Sequence, residues 1–217
     1  MNYELDAELA PAIAALTAQA AEAPAPARGD WQAVREAAAA GLAYMATLTP
    51  ASSGVTTTSF TTPTSDGEGE IELRWYAKAG PASGSAVVYA HGGGMIGGSL
   101  DLYHEVVSWY VSQTGVPLLS VGYRLAPEAA SSTTLAEDVF AGLTWLAGHA
   151  SGLGVDPARI AVMGDSGGGG PAAAAAILAR DRDVPLARQV SPASHGRPGP
   201  RHRRHLDHPA SQIRRRP

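Results

Sequence analysis

Residues 160–168 read Ile160-Ala161-Val162-Met163-Gly164-Asp165-Ser166-Gly167-Gly168. A short apolar run ends in a serine flanked by glycines. The Gly/Ala-rich stretch Ser166–Arg180 that follows has the composition of a closely packed helix. Continuous apolar runs are typical of strands covered on both faces. Strand, sharp turn and helix in immediate succession push a side chain out over a sheet edge, and glycines beside Ser166 leave room for a strained backbone. A G-x-S-x-G match alone is weak in a chain with 25 glycines, so its surroundings must supply the context.

Upstream, Ala86–Ala90 is a second apolar run, and His91-Gly92-Gly93-Gly94 follows it directly. A helix is predicted from Ser99 to about Thr114, with Leu102, Val106, Trp109 and Tyr110 on one side. Val116–Tyr123 reads as the next strand. A helix from about Thr134 to His149 carries Leu135, Val139, Leu143 and Leu146. This alternation of strand and helix implies parallel strands joined by right-handed crossovers, an α/β architecture. Before it, Val55–Thr62 is rich in β-branched residues. Asp66-Gly67 signals a turn, and Ile71, Leu73 and Trp75 alternate with Glu72, Arg74 and Tyr76. These segments predict an antiparallel pair at the sheet edge. Residues 4–22 and Trp31 to about Ala46 have helical spacing, interrupted by the Pro-containing segment 23–29, with Asp30 as N-cap of the second helix.

The two glycine motifs carry the chemistry. A loop such as His91–Gly94 can present backbone N–H groups to a negatively charged oxygen, since without side chains the backbone itself comes close. Ser166 is the candidate nucleophile, and Gly92, Gly93 and Gly167 are the candidate oxyanion donors. His91, Gly94, Gly164, Asp165 and Gly168 support the two turns. A generic glycine turn is the bland alternative, and the matched strand contexts argue against it. Tyr123-Arg124-Leu125-Ala126-Pro127-Glu128 is read as structural, with Arg124 and Glu128 pairing to brace the loop.

These three blocks, in this order, resemble the hormone-sensitive-lipase-like group of α/β-hydrolases over about residues 30–189. The resemblance implies a mostly parallel sheet flanked by helices, a helical N-terminal cap at 1–46, and a core at 47–189. It further implies a carboxylic-ester hydrolase that works through an acyl-enzyme with a Ser-Asp-His triad, takes a small-molecule ester and needs no cofactor or metal. On this resemblance Asp165 is a bracing group rather than the triad acid.

The end of the chain departs from that pattern. Residues 1–187 hold 8 Arg/Lys against 19 Asp/Glu, whereas residues 188–217 hold 8 Arg against Asp207 alone. The segment 190–217 is Arg/Pro/His-rich without helix or strand periodicity, and reads as a disordered basic tail of a C-terminally truncated or frameshifted member. On this reading the later strands and the triad Asp and His are absent and activity is impaired. A non-catalytic fragment or pseudoenzyme with at most weak acyl-ligand binding is the alternative. His195, His202, His205 and His208 are read neither as the base nor as a metal site, and no nucleic-acid partner is expected, because no aromatic residue interleaves the arginines. With no cysteine, disulfides, thiolate catalysis and zinc–thiolate sites are excluded. No apolar stretch reaches the length of a membrane span, and the N-terminus lacks a basic leader. The expected location is cytoplasmic; the oligomeric state stays open.

Overall fold

Alternation along 71–76 and the continuous apolar runs at 86–90 and 160–163 each mark a strand of the sheet. The computed structural model describes residues 5–21, 26–81, 83–129 and 131–186. Its five strands are β1 (Val55–Pro63), β2 (Glu70–Lys78), β3 (Gly84–Ala90), β4 (Leu118–Val121) and β5 (Val155–Gly164), in the order β1-β2-β4-β3-β5. β3 pairs in parallel with both β4 and β5, while β2 runs antiparallel to β1 and β4. The hairpin therefore forms one edge, as its sequence predicts. β1 buries only Thr62, whereas every residue of β4 is buried.

The helices of the described residues are α1 (Ala10–Ala21), α2 (Trp31–Leu48), α3 (His104–Thr114), α4 (Ser132–His149) and α5 (Gly169–Asp181), and the last three cover the two faces of the sheet. On one face Val107 and Val111 of α3 pack with Tyr76, Tyr89 and Leu118. On the other, Leu135, Val139, Leu143 and Leu146 of α4 and Ala172, Ala175 and Ala179 of α5 pack on Leu73, Val88, Leu119 and Ile160. Each fully buried leucine stabilises the fold by about 1.5–3 kcal/mol relative to exposure. Gly142 lets α4 approach the sheet closely, because a Cβ there would lie 2.6 Å from Val121 Cγ2.

Several expectations are corrected. The apolar run at 160–163 predicts a strand covered on both faces, but β5 is an edge strand that buries Ile160 and leaves Ala161 and Met163 exposed, because α4 and α5 pack against its Ile160 face. The first helix begins at Ala10 rather than residue 4, because the Asp6 carbonyl accepts from the amides of Leu9 and Ala10 and closes a turn. The helix expected from Ser99 begins at His104: the Ser99 hydroxyl accepts from the Leu102 amide at 3.1 Å and closes a separate turn first. Ser166–Gly168 is a 3-10 turn, and the α-helix starts at Gly169. Arg124 does not pair with Glu128. Its guanidinium donates to Asp138 at 2.8 Å and Asp66 at 2.7 Å, while Glu128 accepts from Arg35 of α2 at 2.7 Å. The fully buried carboxylate of Asp138 needs a cationic partner far more than an exposed glutamate does. Expectations for residues 187–217, including the tail and its histidines, lie outside the described residues.

Register decides what happens at the top of the sheet. Ala90 is opposite both Val121 and Gly164. The carboxyl ends of β3, β4 and β5 are therefore level, and the three motif-bearing loops leave the sheet side by side. Carboxyl ends of parallel strands are where open α/β sheets place their ligands.

Candidate active site

Ser166 occupies the corner between β5 and α5. Asp165 is still extended, at φ −89° and ψ 136°, and Ser166 then turns to φ +46°. Few non-glycine residues adopt a positive φ, and where the surroundings enforce one it costs on the order of 1–3 kcal/mol. Three contacts enforce it. The Asp165 amide donates to the Ala90 carbonyl at 3.2 Å, and the Gly168 amide donates to the Asp165 carbonyl at 2.8 Å. Gly168 abuts the Ala90 and His91 carbonyls so closely that no Cβ fits there. The glycine at 168 is thus required by backbone proximity. Ser166 itself is exposed.

The neighbouring loop meets this corner directly. A Cβ on Gly167 would lie 2.7 Å from the Gly94 nitrogen and 2.9 Å from the Met95 nitrogen; one on Gly92 would lie 3.4 Å from Ser166 Cβ. The structure therefore brings Gly92, Gly93, Gly94, Ser166 and Gly167 together. The amides of Ile96 and Gly97 both donate to the Gly93 carbonyl, at 3.2 and 2.9 Å, which closes the loop into a tight turn. Among the described residues the amides of Gly93, Gly94 and Gly167 make no hydrogen bond. The Gly92 amide faces the Tyr103 hydroxyl: burial pushes that phenol's pKa up, as does the Asp165 charge, and the Gly92 amide pulls it down. An exposed hydroxyl on a strained corner, beside amides without partners, can attack an acyl carbon and hold the oxygen anion that results.

Beneath the corner lies a polar support. Asp165 Oδ2 accepts from the Tyr89 hydroxyl at 2.7 Å and from the Tyr110 hydroxyl at 3.1 Å. Burial, and then the Asp165 carboxylate, hold the Tyr89 phenol far above its ordinary value, so it stays a donor. His91 is buried and stacked on Tyr123 with ring centroids 4.5 Å apart. Its Nδ1 lies 2.9 Å from the Gly92 carbonyl, and the Tyr123 hydroxyl donates to the His91 carbonyl at 2.5 Å. Burial pushes the imidazole pKa below 6.5 against the opposing carbonyl bond, which keeps the ring neutral with Nδ1–H as donor.

The three histidines among the described residues are engaged away from Ser166: His91 under its loop, His104 at Tyr76 and His149 at Trp145. Among the described residues no three His, Asp or Glu side chains converge as a metal site, and no helix is long and apolar enough to cross a membrane. Sequence reasoning missed Arg35, Tyr89, Tyr103 and Tyr110. The tyrosines read as ordinary core residues, and nothing near Arg35 in the chain announces its partners.

A mixed α/β sheet whose parallel strands carry a glycine-flanked serine at the end of one and a glycine loop at the end of its neighbour defines a hydrolase-type scaffold. Residues 87–210 match the sequence profile of a family described as the alpha/beta hydrolase fold, and the chain belongs to that family. It is 42% identical to the ethyl acetate hydrolase of Pseudomonas putida over 108 residues, 49% of this chain and 33% of that protein. It is 35% identical to hormone-sensitive lipase of Bos taurus over 103 residues, 48% of this chain and 14% of the lipase. The hyperthermophilic esterase of the archaeon Pyrobaculum calidifontis superposes with a TM-score of 0.70 at 33% identity, covering 83% of this chain and 56% of that one. The chain spans about a third of the length of the curated relatives it matches.

Proposed function

We propose that this chain is a carboxylic-ester hydrolase with Ser166 as nucleophile. The observation that carries the reading is the placement of an exposed serine at positive φ against a glycine loop with amides free to donate. The names of its relatives, an ethyl acetate hydrolase and an esterase among them, support the reaction class. Ser166 Oγ attacks the ester carbonyl, and the tetrahedral oxyanion forms within reach of the loop. Its collapse breaks the C–O bond and releases the alcohol, and water then hydrolyses the acyl-serine. The amides of Gly92, Gly93 and Gly167 are the donors on this reading, and the Gly94 amide, which lies beside Gly167, extends the set. Each donor contributes on the order of 10²–10³ in rate. The N-terminus of α5 adds a favourable field for the developing charge. On this reading residues 1–46 belong to a cap over the acyl side of the site, an assignment supported by the contacts of Arg35 with the loop.

A serine hydroxyl is a weak nucleophile until a base takes its proton. No histidine among the described residues stands against Ser166, so the base must come from outside them. The same observation favours a second reading, in which the described unit binds acyl ligands with turnover reduced to the ~10³–10⁴-fold over water that an oxyanion hole retains without its triad. Burst release of the phenol from an activated short-chain aryl ester, compared with Ser166→Ala, tests both. Stoichiometric burst and turnover lost in Ser166→Ala support the hydrolase. Saturable ester binding without a burst supports the second reading, and equal signals in the two proteins refute Ser166-dependent chemistry.

A further inference from the structure

The geometry points to Arg35, on the N-terminal helix α2, as the residue that positions the oxyanion loop, an inference that rests on the function proposed above. Its guanidinium spans two loops. Nε donates to the Ile96 carbonyl at 2.6 Å and Nη2 to the Ala126 carbonyl at 3.0 Å. Nη1 and Nη2 each donate to a carboxylate oxygen of Glu128 at 2.7 Å, a fork-to-fork pair. The Ala126 amide in turn donates to the Met95 carbonyl at 2.9 Å. Arg35, the 93–97 turn and the Ala126–Glu128 segment therefore form one closed ring of hydrogen bonds.

The ring bears on Gly93 and Gly94 through short covalent distances. Ile96, which Arg35 holds by its carbonyl, donates its own amide to Gly93, and Met95 follows Gly94 directly. α2 also presses on the turn: a Cβ on Gly97 would lie 3.5 Å from Ala38 Cβ and 4.0 Å from Arg35 Cγ. The guanidinium is itself fixed. It sits 4.6 Å over the Trp31 ring one turn earlier, and Asp30 caps the helix through the Ala33 amide at 3.0 Å. A lysine offers one point charge in place of a planar fork and cannot serve all three acceptors. Arg35 touches no reacting atom in this scheme. It acts through the loop, and it links the seating of the N-terminal helix to the alignment of the amides.

The test uses the full chain and a tagged fluorophosphonate. In that reaction an O–P bond forms at Ser166 Oγ, the P–F bond breaks, fluoride leaves and the hydroxyl proton passes to solvent. The limiting rate of labelling and the half-saturating probe concentration are measured separately, with thermal melts as a folding control. For Arg35→Lys the limiting rate should fall about tenfold, short of the loss from deleting a donor outright, while half-saturation stays within about twofold. Millimolar guanidinium should restore part of the rate in Arg35→Ala. Glu128→Gln, which leaves both carbonyl acceptors in place, should lose about two- to threefold, and it reads the same quantity if the Arg35 variants fail to fold. Amide hydrogen exchange at Ile96 and Gly97 should quicken in Arg35→Lys whether or not the protein is labelled. Labelling that is equal in wild type and Ser166→Ala overturns the function proposed above, and the exchange rates then decide the role of Arg35. Unchanged exchange at Ile96 and Gly97, or an unchanged limiting rate in both Arg35→Lys and Glu128→Gln when wild type is labelled, overturns the positioning role.

Discussion

Alanine substituted at Gly168 and at Gly169 should shift stability in opposite directions, although the two changes are chemically identical and adjacent. Both residues have right-handed helical backbones, at φ −71°, ψ −18° and φ −61°, ψ −34°, so alanine suits either conformation. Replacing a helical glycine stabilises by about 0.5–1 kcal/mol through lost unfolded-state freedom. At Gly169 little opposes this, since the nearest atom to an added Cβ is the Gly164 carbonyl oxygen at 3.6 Å. The melting temperature should therefore rise by about 1–4 °C for a protein of this size. At Gly168 the added methyl overlaps the carbonyl oxygens of Ala90 and His91. Overpacking costs about 1–3 kcal/mol, and the upper half applies because backbone, not a side-chain tip, must yield. After the same 0.5–1 kcal/mol gain, about 1–2.5 kcal/mol of stability is lost, a fall of about 2–10 °C. The displaced backbone leads straight into His91–Gly94, so fluorophosphonate labelling of Ser166 should slow in Gly168→Ala and persist in Gly169→Ala. Scanning calorimetry beside labelling kinetics reads both effects. A Gly168→Ala protein that melts at or above wild type and labels normally would refute the claim that this glycine exists to let the corner meet the loop.

Asp138→Asn should cost about 3 kcal/mol, near the low end for breaking a buried ion pair, because Asp138 is 0% exposed while the Arg124 side chain keeps 31% in water. Asp66→Asn, at the exposed arm of the same arginine, should cost much less, and equal urea midpoints for the two variants would contradict that ranking. The Asp66 carboxyl sits at about 2, held down by the Thr64 hydroxyl and then by Arg124. The His91 imidazole lies below 6.5 when folded, so at acid pH the unfolded chain binds a proton that the folded chain does not. Its contribution to stability is present above pH 6.5 and is lost as pH falls toward the depressed folded value, with a slope of at most about 1.4 kcal/mol per pH unit. His91→Phe keeps a ring on Tyr123 and should show a flatter stability profile in that window; parallel profiles would mean the buried neutral imidazole is not the cause. Tyr89→Phe removes the shorter of two bonds to the Asp165 carboxylate and should cost about 1.5–3 kcal/mol, more than Tyr110→Phe at the longer bond; the reverse order in denaturant titrations would count against Tyr89 as the main support.

Much of this protein is written in neighbouring residues. Alternation at 71–76 marks a half-covered strand, the run at 86–90 marks a covered one, and the glycines at 92–94 and 167–168 mark places where backbone meets backbone. Each is a property of a few consecutive residues, so periodicity and local conformational freedom suffice to read it. The boundaries that slipped, at Ser99 and at Ser166, slipped because one hydroxyl–amide bond and one positive φ insert a separate turn before each helix.

What joins distant residues was decided only by tertiary packing. The register that sets Ala90 opposite Gly164 puts the serine corner beside the glycine loop. Arg35 reaches Ile96 across 61 positions and Glu128 across 93, and Arg124 turns to Asp138 rather than to the glutamate four residues away. A guanidinium pairs with whichever carboxylate the packed chain leaves near it and most in need of charge. That depends on strand order and burial, and neither is a property of adjacent letters in the chain.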